Sequence, residues 1–496
     1  MVEHILNSIS HFYPEIAITL TLCVALIADL VLKGRTHAIG WIVIGGLAVT
    51  GVLVTMPVGL VESIFSDMVA VDPFAVFFKV MILIASVFVI LFSMKSRELE
   101  SYIDRIGEYY MLILGMILGM FLMVGATNVL LMFLAFELTS FCSYVLAGFT
   151  RRSPRSAEAS MKYIIYGAVS SGIMLYGISL LVGITGAISF YGINEALTAG
   201  VDQPMILLIA VLMILVGFGF KIAVVPFHFW APDVYEGAPI TITAYLAVAS
   251  KIAAFAMTVR FFKVSFIEAG GMDALGVWGI LEGLNWNIIV AIMAAMAMIL
   301  GNTVALWQDN IKRLLAYSSI AHAGYILMGL VVLTDEGISA IMIYAFIYLF
   351  MNMGAFYVAM LVSNKLGTES IEDYKGLGMR APLECVAMTV FLIALTGLPP
   401  TAGFIAKLFI FGAAISAGWI WLVTIAGITT IVSLFYYMKV VRNMFLFQPK
   451  EELSGITFDL SSKAILIVLL APTLFFGVYF TPVLEFARNS ITMFGL

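Results

Sequence analysis

Charged residues are scarce in this chain. Only 11% of its 496 residues are Asp, Glu, Lys or Arg, whereas 62% are hydrophobic, and the mean hydropathy is +1.09. Soluble domains carry about 25% charged residues, so this composition cannot form an ordinary water-exposed surface. The net charge of −5 argues against a nucleic-acid partner. The composition therefore predicts a polytopic protein whose surroundings are a lipid bilayer.

Cysteine is scarce as well. Cys23, Cys142 and Cys385 each lie in an apolar run without metal-ligand spacing, so neither a disulfide nor a metal site is predicted. The N-terminus has no basic region followed by a small-residue cleavage site. We therefore expect the first apolar run to remain as an uncleaved span.

Long apolar runs dominate the rest of the sequence. A helix needs about 20 mostly apolar residues to cross the hydrocarbon core. Runs of this kind predict an all-α integral membrane fold with fourteen spans, at 13–32, 38–58, 73–94, 108–126, 128–149, 157–186, 204–231, 239–265, 286–306, 312–333, 336–364, 381–415, 416–446 and 463–483. Glycine and proline interrupt the run 381–415, which predicts one discontinuous span. We expect a single membrane domain over 1–496, without a soluble domain.

The basic residues are distributed unevenly between the loops. Fourteen spans place both termini on one side, and sixteen Lys and Arg then fall in one set of loops against three in the other. The larger set is Lys33, Arg35, Lys95, Arg97, Arg105, Arg151, Arg152, Arg155, Lys312, Arg313, Lys365, Lys375, Arg380, Arg442, Lys450 and Lys463; the smaller is Arg260, Lys263 and Arg488. Because cytoplasmic loops are enriched in Lys and Arg, the larger set is predicted to be cytoplasmic and both termini to lie outside.

A weak internal repeat accompanies the spans. SYVLAGF at 143–149 resembles GYILMGL at 324–330, and GFGFK ending at Lys221 resembles AGFIAK ending at Lys407. Proline breaks the span near both lysines. Five spans separate the copies, so they would insert in opposite orientations, and inverted repeats with paired broken helices are typical of transporters.

Several ionisable side chains remain inside the predicted spans. A charge at the centre of a span costs about 2.5–3.5 kcal/mol and usually faces a partner or water. Snorkelling would account for Lys79 and Lys439, near span ends. The others are Glu137, Lys162, Lys221, Lys251, His322 and Lys407. Lysine and histidine in such surroundings can exchange protons near neutral pH, so the pattern favours a proton relay over static ion pairs.

At these residues the chain resembles the antiporter-like membrane subunits of respiratory complex I and the related multisubunit sodium/proton antiporters, over essentially its whole length. Within that family, PFHFWAPDVYEGAP at Pro226–Pro239 resembles the subunit N group, whereas subunits L and M typically read PFHTWLPDAH. PEI at Pro14–Ile16 and GLPPTAGFIAK ending at Lys407 also resemble subunit N. ITIT at Ile240–Thr243 departs from the proline-containing turn expected there.

The resemblance implies two inverted five-helix repeats, spans 4–8 within 108–265 and spans 9–13 within 286–446, with spans 7 and 12 broken. Spans 1–3 within 1–107 and span 14 at 463–483 would flank them. It also implies roles for the buried side chains. Glu137 would pair with Lys221, Lys251 and His322 would link two half-channels, Lys162 would be a lateral member, and Lys407 would be the gate of the second repeat.

The resemblance further implies a proton-translocating subunit of an NADH:quinone oxidoreductase, in the inner membrane of the cell. No cofactor is implied in this chain, because NADH, FMN, iron–sulfur clusters and quinone would be bound by partner subunits. The implied partners are the antiporter-like subunit M and the small membrane subunits K, J, A and H. Three alternatives stay open: an Mrp-type cation/proton antiporter subunit, a subunit of a ferredoxin- or F420-linked dehydrogenase, and a non-transporting scaffold with structural buried charges.

Overall fold

Long helices form most of the fold. The computed structural model describes residues 8–32, 36–57, 59–100, 102, 105–200, 203–272, 277–280, 285–448 and 456–494. The spanning helices, labelled by span, are α1 Tyr13–Val31, α2 Thr36–Thr55, α3 Pro73–Ser93, α4 Ile106–Gly125, α5 Val129–Ala147, α6 Pro154–Thr185, α7 Pro204–Ile222, α8 Ile240–Phe266, α9 Trp286–Ala305, α10 Ile311–Val331, α11 Asp335–Leu366, α12 in two halves Pro382–Thr396 and Ala402–Ser416, α13 Ile420–Leu446 and α14 Leu460–Val478.

Thirteen helices in the described ranges are long and apolar enough to cross a membrane on their own. The two halves of α12 are shorter, and together they make the fourteenth span. The predicted all-α membrane fold with about fourteen spans is therefore confirmed. Short helices lie between and after the spans, at Arg97–Glu100, Phe190–Thr198, Trp230–Gly237, Leu377–Arg380 and Thr481–Asn489, with a 3-10 turn at Ile371–Tyr374.

Two small antiparallel hairpins were not predicted. The first pairs β1 (Glu62–Ile64) with β2 (Val69–Val71), and the second pairs β3 (Ile267–Met272) with β4 (Trp278–Ile280). Both lie between spans, where exposed backbone groups need partners that a helix would otherwise supply. They close loops and leave the membrane architecture unchanged.

Two predicted spans end earlier than expected. The span 204–231 was predicted as one run, but α7 ends at Ile222, and Ala223 adopts a left-handed conformation with φ of 59°. Pro226 has no N–H to continue the helix, so the chain resumes helix only at Trp230. The run 463–483 likewise divides, because α14 ends at Val478 and a new helix begins at Thr481.

The loops gather at two ends of the bundle. At one end, here called the basic end, the segments 94–100, 148–153, 306–310 and 367–381 meet; for example, Asn310 pairs with Ser370 and Arg97 bonds Asn364. At the opposite end, Thr127 N bonds Met68 O and Trp278 N bonds Leu333 O. The spans thus alternate in direction as expected. Lys33, Arg35 and Lys450 of the larger basic set lie outside the described residues.

Burial places the helices in the bundle. Nearly every side chain of α8, α10 and α11 is buried, whereas most side chains of α1, α2 and α14 face outwards. Polar residues set where the central helices begin: the Asn310 side chain accepts hydrogen bonds from the first N–H groups of α10, and Thr334 does the same for α11. The central helices are the ones that carry Lys251 and His322.

Candidate functional site

Lys221 lies in the last turn of α7, immediately before the break. Its buried Nζ donates a hydrogen bond to Ser140 Oγ on α5 at 2.8 Å and lies 5.2 Å from the centre of the Phe136 ring. At the break, the carbonyl of Phe220 accepts hydrogen bonds from the Ala223 N–H at 3.0 Å and from the Trp230 indole N–H at 2.9 Å. The interrupted helix thus holds the lysine against α5.

Glu137, the expected partner of Lys221, forms no direct hydrogen bond with it in the described part of the chain. No ion pair joins the two within the described residues, and Ser140 takes the hydrogen bond from the lysine instead. Glu137 precedes Ser140 by three residues on α5, so both lie on neighbouring positions of one helix face. Its Oε1 is buried without a hydrogen-bond partner in the described part of the chain.

Lys251 lies in the middle of α8, directly after a π-helical turn at Leu246–Ser250. Its Nζ donates to the carbonyl of Ser319 at 2.9 Å and to Ser319 Oγ at 2.6 Å. The Tyr348 hydroxyl donates to the same Oγ at 3.0 Å. Single π turns recur at functional sites, and this one redirects α8 where its lysine meets α10.

His322 on α10 lies between two tyrosine hydroxyls. Its Nδ1 is 2.7 Å from Tyr344 Oη and its Nε2 is 3.4 Å from Tyr437 Oη. The Tyr437 hydroxyl also bonds Ser318, on α10 one turn before the histidine. Both ring nitrogens therefore face groups that can donate or accept, which lets either tautomer be accommodated.

Lys407 lies on the second half of α12. Its Nζ donates to the carbonyl of Thr396, at the end of the first half, and to Thr430 Oγ1 on α13, both at 2.9 Å. It also lies 4.3 Å from the centre of the Tyr325 ring. The break between the halves thus supplies a free carbonyl for the lysine. The two break lysines are not equivalent in position, since Lys221 precedes its break and Lys407 follows its own.

Hydroxyl groups lie between Lys251, His322 and Lys407, and the sequence did not predict them. The Tyr325 hydroxyl contacts Thr429, Thr430 and Asn302 at 3.0, 3.4 and 3.2 Å, and its ring lies 5.8 Å from that of His322. A periodic signal was present, because 318, 322 and 325 on α10 are spaced for one helix face. The structure therefore brings Lys251, His322 and Lys407 into one hydroxyl-lined layer.

Lys162 lies apart from this layer, at the basic end. It donates to Asp233 at 2.5 Å and pairs with Glu158 at 2.8 Å. Arg313 also bonds Asp233, and in addition Glu236, at 2.8 Å each. Partial burial alone would raise the pKa of Asp233, but the hydrogen bonds from Lys162 and Arg313 hold that pKa below its ordinary value. Lys162 is thus part of a half-exposed charge cluster.

The two lysines expected to snorkel differ. For Lys79 the expectation is wrong, because only 7% of its side chain is exposed and its Nζ pairs with the buried Glu15 on α1 at 2.5 Å. Lys439 reaches the basic end, where it bonds Asp309 at 2.7 Å. Within the described residues, no group of three or more His, Cys, Asp or Glu is placed to hold a metal ion.

Comparison with known proteins agrees with this architecture. The family model for the membrane part of NADH:quinone oxidoreductase and the Mrp antiporter matches residues 126–433. NADH-quinone oxidoreductase subunit N 2 of Chloroherpeton thalassium is 44% identical over 494 residues, which cover 98% of this chain and 95% of the relative. Subunit N of Chlorobium chlorochromatii is 42% identical over 496 residues, 99% and 96% of the two chains.

A solved structure supports the same assignment. A chain of respiratory complex I from Thermus thermophilus has a TM-score of 0.77 and 29% sequence identity, covering 95% of this chain and 98% of that one. The motif at Pro226–Pro239 had predicted the subunit N group. The chain therefore belongs to the NADH:quinone oxidoreductase/Mrp antiporter family of multi-pass membrane subunits, and within it to the subunit N group.

Proposed function

We propose that this chain is a proton-translocating subunit of a respiratory NADH:quinone oxidoreductase, in which Lys221, Lys251, His322 and Lys407 form the relay. The observation that carries the proposal is the kind of partner that the buried lysines have. Lys221, Lys251 and Lys407 each donate to hydroxyl or carbonyl oxygens, and no ion pair to any of them occurs among the described residues.

Buried charges with a structural role look different in the same molecule. Lys79 pairs with Glu15, and the fully buried Arg260 forms two hydrogen bonds with Asp72, at 2.6 and 2.8 Å. A scaffold would favour such pairs, because a buried charge without a counter-ion is costly. Neutral acceptors leave a lysine free to give up its proton and to regain it, which favours a relay over the scaffold alternative.

Glu137 acts on Lys221 in this proposal without binding it. Its carboxylate lies one helical turn from Ser140, and one of its oxygens is buried without a hydrogen-bond partner in the described ranges. A nearby negative charge favours the charged form of the lysine. Since Ser140 intervenes, the attraction does not lock the proton in an ion pair. Lys162 joins the relay only from the side, through its cluster at the basic end.

The proposal extends to orientation and assembly. The basic end faces the cytoplasm and both termini lie outside, as the loop distribution favours. Residues 108–265 and 286–446 form two inverted repeats. The chain lies in the inner membrane of the cell, its neighbours are subunit M and the small subunits K, J, A and H, and partner subunits bind NADH, FMN, iron–sulfur clusters and quinone. Support comes from the names of the relatives, which are subunits of such a complex.

The test is redox-driven proton pumping by the assembled complex in vesicles. Lys221→Ala, Glu137→Ala and Lys407→Met are each expected to lower the number of protons pumped per electron, while Lys439→Ala, at the basic end, serves as the control. Pumping at the wild-type level by the first two variants would refute their assigned roles. A Lys407→Met complex that pumps normally but assembles poorly would instead favour the scaffold.

The second candidate is an Mrp-type cation/proton antiporter, because the matching family model covers both kinds of protein. The purified chain, reconstituted alone, separates the two. We expect no proton flux driven by a sodium or potassium gradient, and a robust flux would favour the antiporter. A complex that accepts electrons from ferredoxin or F420 and not from NADH would retain the relay but change the electron donor.

A further inference from the structure

Helix α3 has no part in the proposed relay, yet it carries a regular polar face. Lys79, Ser86 and Ser93 are spaced at intervals of seven residues, two turns of helix, and so lie on one side of it. Ser86 Oγ bonds the Tyr245 hydroxyl at 2.7 Å, and Ser93 Oγ bonds the Tyr109 hydroxyl at 2.8 Å. All four of these hydroxyl-bearing residues are buried.

These hydroxyl pairs meet α8, the helix that carries Lys251. The Tyr109 hydroxyl also bonds Thr241 Oγ1 at 2.9 Å, in the first turn of α8. Tyr245 follows Thr241 by four residues, so the two lie on the same face, one turn apart. From Ile240 to Lys251 the helix rises about 16 Å at 1.5 Å per residue. Hydroxyl groups thus lie along the first turns of α8, whereas Lys251, six residues beyond Tyr245, bonds Ser319 on α10.

A polar cavity opens at the start of α8. It has a volume of about 840 Å³, lies at the basic end, and is lined by Glu98, Lys312, Asn364 and Glu369 among others. Glu98 Oε2 accepts a hydrogen bond from the Ile240 N–H, at the first residue of α8, at 3.2 Å. The Glu98 carboxylate therefore both lines the cavity and bonds the first residue of α8.

The charges around Glu98 come from several elements. Lys312 on α10 lies near it and bonds Glu369 and the carbonyl of Ala238, both at 2.9 Å. Burial raises the pKa of the Glu98 carboxyl, Lys312 opposes that rise and Glu369 adds to it. Burial and Glu369 thus favour the protonated form of this carboxyl, and Lys312 favours its charged form.

The geometry points to a proton-uptake route that enters at Glu98 and runs along the first turns of α8, past Tyr109 and Tyr245, toward the lysine relay. The route rests on the proposed pumping function and adds an entrance to it. Glu98 takes a proton from water in the cavity and passes it to the line. Each hydroxyl accepts one proton and releases another, and a neutral lysine of the relay takes up the last one. Protons alone move, so no oxidant or reductant is needed.

The hydroxyl pairs also have a plain structural reading. Ser86 and Ser93 each donate to a carbonyl of their own helix, at Ile82 and Val89, and the bonds to tyrosine could serve only to join α3 to its neighbours. On that reading Glu98 only accepts the hydrogen bond from the Ile240 N–H at the start of α8. It predicts that removing the proton-carrying capacity of Glu98, with its shape preserved, has no effect on pumping.

The test compares Glu98→Gln with Glu100→Gln in the assembled complex. Glutamine keeps an oxygen that can accept from the Ile240 N–H but cannot carry the proton, and Glu100 is an exposed residue of the same short helix. Protons pumped per electron are measured at neutral and alkaline pH. We expect the Glu98→Gln complex to pump as few protons per electron as the Lys251→Met complex. The loss should be largest at alkaline pH, where protons are scarce. We expect Glu98→Asp to recover pumping and Glu100→Gln to match the wild type.

A second pair of variants tests the hydroxyl line independently. Tyr109→Phe removes one hydroxyl of the route, whereas Tyr110→Phe removes a neighbouring hydroxyl that lies beside Gly40; only the first is expected to lower pumping. Wild-type pumping by both Glu98→Gln and Tyr109→Phe, with Lys251→Met impaired, would overturn the uptake route and leave the relay standing. Wild-type pumping by Lys251→Met would overturn the relay and the route with it.

Discussion

The Lys221 ammonium donates to the Ser140 hydroxyl, at 2.8 Å, across the interface between α7 and α5. This bond separates the lysine from the carboxylate of Glu137, one turn away on α5. A direct ion pair in a low-dielectric interior would hold the proton tightly. A neutral hydroxyl interacts more weakly with the charged lysine, and it can still accept from an ammonium or donate to an amine. The intervening serine is thus what allows Glu137 to influence Lys221 while the proton remains exchangeable.

Replacing Ser140 tests this arrangement. In Ser140→Ala the lysine loses its hydroxyl acceptor, and Glu137, one turn away on α5, carries the charge that attracts it, so we expect tighter ion pairing and slower proton transfer. The lost hydrogen bond to a charged group is worth about 1.5–3 kcal/mol, which the new ion pair would partly replace. Protons pumped per electron should fall, and Ser140→Thr, which keeps the hydroxyl, should restore them. Equal pumping by the alanine and threonine variants would show that the hydroxyl is dispensable.

Tyr325 allows the ring and the hydroxyl beside Lys407 to be separated. Tyr325→Phe keeps the ring, which lies 4.3 Å from Lys407 Nζ, but removes the hydroxyl that contacts Thr430. We expect pumping to fall while the thermal stability of the complex changes little. Tyr325→Leu should also lower stability, since a desolvated cation–π contact is worth about 2 kcal/mol. Wild-type pumping by the Tyr325→Phe variant would show that the hydroxyl takes no part in proton transfer.

Much of the fold was predictable because the bilayer imposes simple rules. Apolar runs of sufficient length predicted the spans, and Gly397 with its neighbouring prolines predicted the break in α12. The end of α7 at Ile222 was predicted too late, because the apolar residues after it continue past the turn at Ala223. Hydropathy predicts which residues can enter the membrane, but it does not predict where the backbone hydrogen bonds of a helix end.

The candidate site was predictable in its charges and not in its contacts. Lysine and histidine are conspicuous in an apolar chain, so the sequence alone indicates Lys251 and Lys407 as candidate site residues. Ser319 and Tyr325 were not, because serine and tyrosine are common in spans and their partners come from distant parts of the chain. The burial of Lys79 was not predictable for the same reason: its counter-ion Glu15 lies 64 residues away in sequence, and no local pattern indicates the ion pair.

The cluster at the basic end should confer a pH-dependent stability. The pKa of Asp233 is lowered in the folded protein by Lys162 and Arg313, against the effect of partial burial. A lowered pKa contributes stability above the unfolded value, about 3.9 for Asp, and the contribution is lost as pH falls through the folded value. Asp233→Asn should therefore lower the thermal midpoint of the complex at neutral pH, and the difference should shrink in acid. A difference that is constant over pH would contradict this origin.

Lys79 and Glu15 offer the sharpest contrast with the relay lysines, because they form a buried ion pair. Removing one partner leaves a buried charge alone and is expected to cost about 3–5 kcal/mol. Lys79→Met and Glu15→Gln should each reduce the amount of assembled complex. Replacing a whole buried pair by apolar residues is often neutral, so the double variant Lys79→Met/Glu15→Leu should recover assembly and pump normally. Lys251, in contrast, has only neutral partners among the described residues. We therefore expect that no second substitution of a partner residue restores pumping to the Lys251→Met variant. A double variant that assembles but pumps poorly would mean that Lys79 also carries protons.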